Sequence, residues 1–217
     1  SYKLCKYLSR VIRFDPYLYY LKADMKKFFD HCKIDEVIKK LRVLIKDEDY
    51  LYKLKIIFKQ FQNSLPLGFY PSQWLGNWLL TSLDELIRNQ TLLDIKLISY
   101  VRYMDDIVII SKDKSYLHNL RKIIQIFVKS LKLVLKQNWF VASISSHPIE
   151  ICGFRFFNNK TTLRRSIFNR VVSMVNRIKD KYKSIHQIRS FLSRLGYFMN
   201  THANWFLYKH ILPIKNI

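Results

Sequence analysis

Cysteines are few in this chain, and long apolar runs are absent. Its three cysteines, Cys5, Cys32 and Cys152, are far apart and lack paired spacing, so neither a zinc site nor a disulfide framework is indicated and reduced thiols are expected. No apolar run approaches the roughly 20 residues that a membrane helix needs. Basic residues recur near the start, where a signal peptide would be apolar. We therefore expect a soluble, intracellular, cytoplasmic protein with no membrane partner.

Acidic residues are also scarce. The chain has 16 Asp and Glu against 38 Lys and Arg, a formal charge of +22. Such a surplus repels itself unless a polyanion is near, which indicates nucleic acid or an anionic membrane surface, and the interleaved aromatic residues favour nucleic acid. The 217 residues, 49% of them apolar, are enough for one compact domain with a small appendage. The first residue is Ser1 rather than Met, as expected of a piece of a longer chain.

Two of the few acids lie side by side in an apolar run. Residues 100–111 are rich in β-branched and aromatic residues, which predicts a buried strand, but Asp105 and Asp106 interrupt the run. Ionised side chains in mid-strand would be heavily desolvated. The run therefore predicts a hairpin that turns at Met104-Asp105 with the acids at its tip. Simple turn chemistry is one interpretation; a metal site, which needs carboxylates on a rigid element, is the other.

A further acid follows a second predicted strand. The β-prone run Tyr19 to Asp24 ends in a carboxylate, which is either a helix N-cap or a metal ligand. A site for two metal ions about 3.5–4 Å apart needs carboxylates around both cations, and one dipeptide cannot surround them. Asp24, together with Asp105 and Asp106, would supply such a set.

These segments resemble known motifs. Tyr103-Met104-Asp105-Asp106 resembles the catalytic hairpin of reverse transcriptases, and Asp24 followed by two aromatics resembles their first palm motif. The resemblance implies that the ring of Phe29 lies under the sugar of the incoming nucleotide as a gate against ribonucleotides. Its neighbour Phe28 is expected in the core.

The third motif is a loop followed by a helix. From the residues alone, Gly68 would let backbone approach a ligand closely, and Ser72 would cap a helix running to about Arg88. Leu-Pro-x-Gly-x-x-x-Ser-Gln, with Asn four residues later, resembles the second palm motif of prokaryotic reverse transcriptases. Leu67 and Ser72-Gln73 are most similar to diversity-generating retroelement enzymes; retron and group II intron enzymes are the alternatives. The substrate-binding residues implied are Phe29, Leu67, Gly68, Ser72, Gln73, Tyr103 and Met104.

The rest of the chain supplies scaffold and charge. Apolar spacing predicts helices over residues 34–46, 50–61 and 116–131. A strand is predicted over residues 132–143. Residues 149–156 resemble the hairpin that holds a primer end, or form an ordinary strand pair. Basic helices follow from residue 162, with a short one over 203–211, and resemble a thumb; a merely solvated basic face is the alternative. The nucleic-acid contacts implied are Gly153, Arg155, Arg164, Arg165, Arg170 and Arg177.

Taken together, the resemblance implies an α+β fold, with an antiparallel sheet packed on helices. Residues 1–160 would form the palm with a remnant of fingers, and residues 161–217 a basic helical thumb; the fingers would be largely absent. The implied function is RNA-directed DNA polymerase with two Mg²⁺ ions, or Mn²⁺, on Asp24, Asp105 and Asp106. Implied partners are an RNA template, a DNA or RNA primer, dNTPs and a small basic accessory protein, in a bacterium or phage. The rival is a catalytically silent nucleic-acid-binding fragment.

Overall fold

The computed structural model describes residues 2–13, 15–93, 96–179, 185–198, 201–202 and 209. In chain order the elements are α1 Tyr2–Ile12, β1 Tyr19–Ala23, α2 Phe28–His31, α3 Ile34–Leu41, α4 Glu48–Lys59, α5 Tyr70–Leu79, α6 Thr81–Leu93, β2 Leu97–Tyr103, β3 Asp106–Ser111, α7 Lys114–Ser130, β4 Phe140–Ser143, β5 Ile149–Ile151, β6 Phe154–Phe156, β7 Thr161–Leu163, α8 Arg165–Lys179 and α9 Ile185–Phe198. Among these described helices, none has the length and apolarity required to cross a membrane.

The chain divides into two compact units. The central unit is Tyr19–Ala142, and the terminal unit combines Ser1–Leu18 with Ser143–Ile217. The palm and thumb boundary expected at residue 160 is a functional division and stays a prediction.

The central unit is built on an antiparallel sheet with strand order β2-β3-β1-β4. Strand β3 lies between β1 and β2, with Leu21 opposite Ile109 and Val101 opposite Val108. Leu21 and Ile109 belong to the core that α3, α6 and α7 share, while Val108 and Ile110 on the other face are buried as well. Burial on both faces explains why this part of the sequence is continuously apolar rather than alternating. The α+β class expected from the sequence is confirmed.

Several helix boundaries in the structure differ from the predicted ones. The helix expected to begin at Ser72 begins at Tyr70, since Pro71 suits the first turn and Phe69 is the N-cap, and it is interrupted at Leu80. The first predicted helix of residues 34–46 ends at Leu41. The amphipathic helix over 116–131 is confirmed as α7, with the Asp113 carboxylate accepting from the Tyr116 N–H at 3.0 Å.

The strand predicted over residues 132–143 is wrong for most of its length. Only Phe140–Ser143 forms a strand, and the earlier residues make an isolated antiparallel bridge between Met25 and Leu135. The backbone N–H of Lys26 donates to Val134 O, and that of Lys136 to Asp24 O, both at 2.8 Å. This segment therefore lies along the residues that follow β1, instead of continuing the sheet.

The terminal unit contains a second antiparallel sheet in the order β5-β6-β7, helix α1 against β6, and the pair α8 and α9. Cys5 and Cys32 are buried and Cys152 is half-buried, and all three are in the reduced state expected from their spacing. The short helix predicted over residues 203–211 lies outside the described residues apart from Lys209.

Candidate active site

The hairpin that carries the two adjacent acids has the predicted turn. Tyr103 pairs with Asp106 across β2 and β3, which leaves Met104 and Asp105 as the two turn residues. Met104 has φ of 56°, a left-handed conformation that an unbranched side chain tolerates at some strain. The tight turn places Asp105 at the tip and Asp106 at the first position of β3.

Asp24 lies at the same end of the sheet. Ala23 is the last residue of β1 and pairs with Ile107, so continuing the antiparallel register by one residue places Asp24 opposite Asp106. The structure thus brings Asp24 close to Asp105 and Asp106, which lie about eighty residues later in the sequence. Their assignment as catalytic and metal-binding residues is a proposal that this placement supports.

Two lysines pair with this acidic group. Lys22 Nζ lies 2.6 Å from Asp106 Oδ1, and Lys136 Nζ pairs with Asp24 Oδ2. Among the described contacts, Asp105 forms no ion pair with a lysine. Its ionised form is disfavoured. Burial first of all, and then contact with Asp24 and the charge of Asp106, raise the pKa of Asp105 to about 6, although backbone hydrogen bonding acts in the opposite direction.

The carboxylate oxygens of these three acids suit a hard divalent cation, but they are not already arranged to bind one. Across the described ranges, no group of three or more His, Cys, Asp or Glu side chains is arranged to hold a metal ion. Lys22 and Lys136 occupy oxygens of two of the acids. Within the same ranges the buried Oδ1 of Asp24 has no hydrogen-bond donor, as expected of an atom that serves as a ligand. Asp24, Asp105 and Asp106 would hold Mg²⁺ through carboxylate oxygens once the ammonium groups give way.

The loop and helix of the third motif reach the hairpin through Asn77. Its Nδ2 donates to Met104 Sδ at 3.0 Å. Gly68 has φ of +83° with open space around it, and Leu67 is 75% exposed. The expectation that Ser72 caps the helix is wrong: Ser72 is buried inside the first turns of α5, and in the described structure its Oγ has no partner. Gln73 is exposed.

The two phenylalanines after Asp24 differ in environment. Phe28 is only 3% exposed, which confirms the expected core position, and a Cβ at Gly76 would lie 3.0 Å from its ring. Phe29 is half-buried and packs edge-on against Phe28 with ring centroids 5.2 Å apart. The accessible edge of Phe29 leaves the sugar-gate role open as a prediction.

Sequence reasoning missed a polar network beneath the hairpin. Arg102 donates to both carboxylate oxygens of Asp84, from Nε at 2.8 Å and from Nη2 at 2.6 Å. Its Nη1 donates to Asn77 Oδ1 and to Met104 O, each at 2.9 Å. The hydroxyl of Tyr100 donates to Asp84 Oδ1 at 2.7 Å. One guanidinium thus joins α5, α6 and the turn.

A weak signal for this network exists in the sequence. Arg102 interrupts an apolar strand, and a cation in a buried strand requires an acid nearby. The identity of that acid could not be read, because Asp84 lies on a separate helix. Lys22 and Lys136 carry no sequence signal that separates them from the many other lysines.

The residues predicted to bind nucleic acid lie in the terminal unit. Gly153 has φ of 85° at the turn between β5 and β6. Arg155 Nε lies 2.9 Å from Glu150 Oε1 without the alignment of a hydrogen bond, and Arg164 Nε lies 3.5 Å from Glu150 Oε2. Arg165 and Arg170 are exposed, and the side chain of Arg177 lies outside the described part of the chain. Glu150 thus lowers the local positive charge at two of the predicted contacts.

Comparison with known proteins gives an independent assignment. Residues 9–156 match the family described as "Reverse transcriptase (RNA-dependent DNA polymerase)". A retron Ec73 reverse transcriptase from Escherichia coli is 26% identical over 167 residues, a match that covers 70% of this chain and 52% of the relative. The chain therefore spans about half the length of this curated relative.

Solved structures agree at the level of fold. Apo telomerase from Candida tropicalis superposes with a TM-score of 0.59 at 12% identity, over 82% of this chain and 39% of the telomerase. Telomerase from Candida albicans, solved with a fragment of telomeric RNA, gives 0.57 at 14% identity, over 82% and 39%. At these identities the likeness concerns the fold alone. The family match spans most of the chain and includes the hairpin and Asp24, and on that basis the chain belongs to the reverse transcriptase family.

Proposed function

We propose that this chain carries the catalytic centre of an RNA-directed DNA polymerase. The observation that supports this most is the meeting of Asp24, Asp105 and Asp106 at one end of the central sheet, with a buried Asp24 oxygen that lacks a donor among the described residues. Two-metal nucleotidyl transfer requires carboxylates around both ions, and these three acids come together from two segments of the chain. Family membership supplies the reaction class.

The metal ions, when bound, would activate the primer 3′-hydroxyl and neutralise the charge of the leaving pyrophosphate. The chain's own part is to position their ligands. Asp24 follows a strand that is hydrogen-bonded on both sides, and the turn that presents Asp105 is closed by Arg102. Lys22 and Lys136 neutralise two of the acids in the absence of ions, which limits the repulsion among three half-buried carboxylates.

Substrate contacts follow from the same proposal. An RNA template, a DNA or RNA primer and dNTPs would be the ligands, with Tyr103, Met104, Phe29 and the Gly68 loop around the nucleotide. Exposed Arg165 and Arg170 would contact phosphates without reading sequence. A small basic accessory protein belongs to the proposal only through the retroelement resemblance.

The subclass we propose is the diversity-generating retroelement type, an error-prone enzyme. Leu67 supports it, because an aliphatic side chain there offers no polar anchor against a misplaced base pair. The retron type is the second candidate, supported by the 26% identical Escherichia coli relative. A silent nucleic-acid-binding fragment is the rival from outside the enzyme class.

Primer extension by the full-length protein on matched RNA and DNA templates tests the activity. Extension on RNA supports the polymerase, and binding without extension supports the silent fragment. Sequencing the cDNA tests the subclass. The diversity-generating assignment predicts errors concentrated at template adenines and fewer of them in Leu67→Gln; uniformly few errors at adenines would favour the retron type and leave the polymerase proposal intact.

A further inference from the structure

The terminal unit contains a cavity of about 600 Å³ that no part of the proposed polymerase site uses. Helix α1 forms one wall and the turn between β6 and β7 forms another. This turn is at the opposite end of β6 from the Cys152-Gly153 turn. The lining residues that matter for its chemistry are Lys6, Tyr7, Arg10, Phe157, Lys160 and His202.

The described residues that line this cavity carry a net positive charge. Lys6 and Arg10 lie one turn apart on α1, Arg13 directly follows the helix, and α1 contains no acidic residue. Lys160 adds charge from the opposite wall, and among the described residues no Asp or Glu lines the cavity. Within the described residues Arg10 makes no ion pair. An anion in the cavity would lie close to several of these cations at once.

Aromatic rings accompany the cations. Tyr7 is 46% exposed on α1. The ring of Phe157 is half-buried, with Lys160 Nζ 5.6 Å and the Arg155 guanidinium 5.4 Å from its centroid. Flat rings beside phosphate-binding cations are what proteins use to bind single strands, where bases stack on the rings and the backbone follows the positive charge.

The walls are fixed by hydrogen bonds rather than left to fluctuate. Ser9 Oγ and Thr161 Oγ1 are 2.9 Å apart and join α1 to β7. Thr161 N–H donates to His202 Nδ1 at 2.9 Å, and His202 N–H donates to Thr161 O at 2.9 Å. Since Nδ1 accepts, the ring proton is on Nε2, which makes Nε2 a donor. The cavity is thus preorganised before any ligand arrives.

We propose that this cavity binds a nucleotide segment of single-stranded RNA outside the polymerase site. Phosphates would contact Lys6, Arg10 and Lys160, and a base would stack on Tyr7 or Phe157. The volume lies within the range of pockets that hold small ligands and suits a segment of one or two nucleotides. An acidic peptide would pair with the cations but would leave the rings without a stacking partner. Such a site would retain a transcript while the polymerase site works on another part of it.

Photo-crosslinking of the full-length protein with a uridine-rich RNA hexamer carrying 5-iodouridine tests this proposal. We expect crosslinked peptides that contain Tyr7 or Phe157. Arg10→Gln removes one phosphate contact and should lower the crosslink yield severalfold and flatten the log–log salt dependence of hexamer binding by about 0.7. Lys3→Gln is the matched control, because Lys3 is exposed on the same helix but does not line the cavity. Lys3→Gln should change neither quantity.

Each alternative result overturns the proposal. Crosslinks absent from both peptides, or equal losses in Arg10→Gln and Lys3→Gln, would do so. Competition by uridine monophosphate or inorganic phosphate at the same concentration as unlabelled hexamer would indicate a site for small anions instead of a strand. Crosslinking in Asp105→Asn should equal that of the unsubstituted protein, so loss of polymerase activity and loss of this site are distinguished.

Discussion

Arg102 and Met104 are joined by a hydrogen bond that closes the acidic turn: Nη1 of Arg102 donates to Met104 O at 2.9 Å. The same guanidinium forms a two-pronged pair with Asp84, whose carboxylate also accepts from Tyr100. The Arg102 side chain is 9% exposed and that of Asp84 is 23% exposed. Arg102 thus connects the turn that carries Asp105 to a largely buried ion pair. This contact stabilises the turn although Met104 is in a left-handed conformation.

Removing Arg102 should destabilise the fold and disorder the turn. Arg102→Met leaves the Asp84 carboxylate without its cation, and breaking such a pair costs about 3 kcal/mol or more. The free energy of unfolding in urea measures this. Arg42→Met is the control, because Arg42 forms a similar pair with Glu48 at side-chain exposures of 56% and 63%, and should cost less than about 1 kcal/mol. Equal losses in the two variants would contradict a special role for Arg102.

The central sheet and the hairpin were predictable because their signals are local. Two ionised residues cannot lie in the middle of a buried strand without a large desolvation penalty, so the turn at Met104-Asp105 could be predicted from this penalty alone. Asp24 was grouped with Asp105 and Asp106 because a two-metal site needs a further carboxylate and because of the motif resemblance, whereas its register opposite Asp106 comes from the structure. Asp84, Lys22 and Lys136 were not predictable, since each is an ordinary charged residue of a helix, a strand or a loop and gains its partner only through packing. The cap expected at Ser72 failed because Pro71 allows the helix to begin earlier.

Asp105→Asn should stabilise the metal-free protein at neutral pH. The pKa of Asp105 is raised to about 6, so the folded state binds more protons than the unfolded state between about pH 4 and 6. Stability is then lost as pH rises through that window, and the full penalty applies above it. A shift of this size corresponds to about 3 kcal/mol, which half-burial reduces to about 1–2 kcal/mol.

Urea unfolding in EDTA at pH 7.5 and at pH 4 measures this gain. It should be present at the higher pH and nearly absent at the lower. The control Asp30→Asn alters an exposed acid and should show no such pH dependence. A gain that is the same at both pH values would rule out ionisation of Asp105 as its cause.

Lys136→Met should strengthen binding of divalent ions. Lys136 Nζ forms an ion pair with Asp24 Oδ2. A metal ion must therefore displace the Lys136 ammonium group from this oxygen and bind in the presence of its positive charge. One unit charge about 8 Å from a dication in water-like surroundings opposes it by about 1 kcal/mol, which corresponds to roughly a fivefold change in Kd. Titration with Mg²⁺ against bound Tb³⁺ luminescence provides the measurement.

The matched control for this titration is Lys132→Met, because Lys132 is exposed and pairs with Glu36 instead. Its Kd should change by less than about twofold. Weaker binding in Lys136→Met than in the unsubstituted protein would mean that Lys136 supports the ligand arrangement rather than competing with the ion.

Phe29→Ala should raise the use of ribonucleotides relative to deoxynucleotides. The ring lies five residues after Asp24 and packs edge-on against buried Phe28, so its position is fixed while part of it remains accessible. Single-nucleotide insertion with each dNTP and rNTP gives the ratio of kcat/KM values. Phe61→Ala, a change at a 40% exposed ring in the same unit, serves as the control. Equal losses for both sugars would make Phe29 a packing residue only.

RNA-templated primer extension by Asp105→Asn tests the central proposal most directly. If Asp105 is a metal ligand, cDNA synthesis by the full-length protein in Mg²⁺ should fall well over tenfold, a loss of more than about 1.4 kcal/mol of barrier reduction. Primer–template affinity at low salt should stay within about twofold of that of the unsubstituted protein, and Asp30→Asn should retain activity. Retention of more than about a tenth of the activity by Asp105→Asn would contradict the assignment of this hairpin as the catalytic centre.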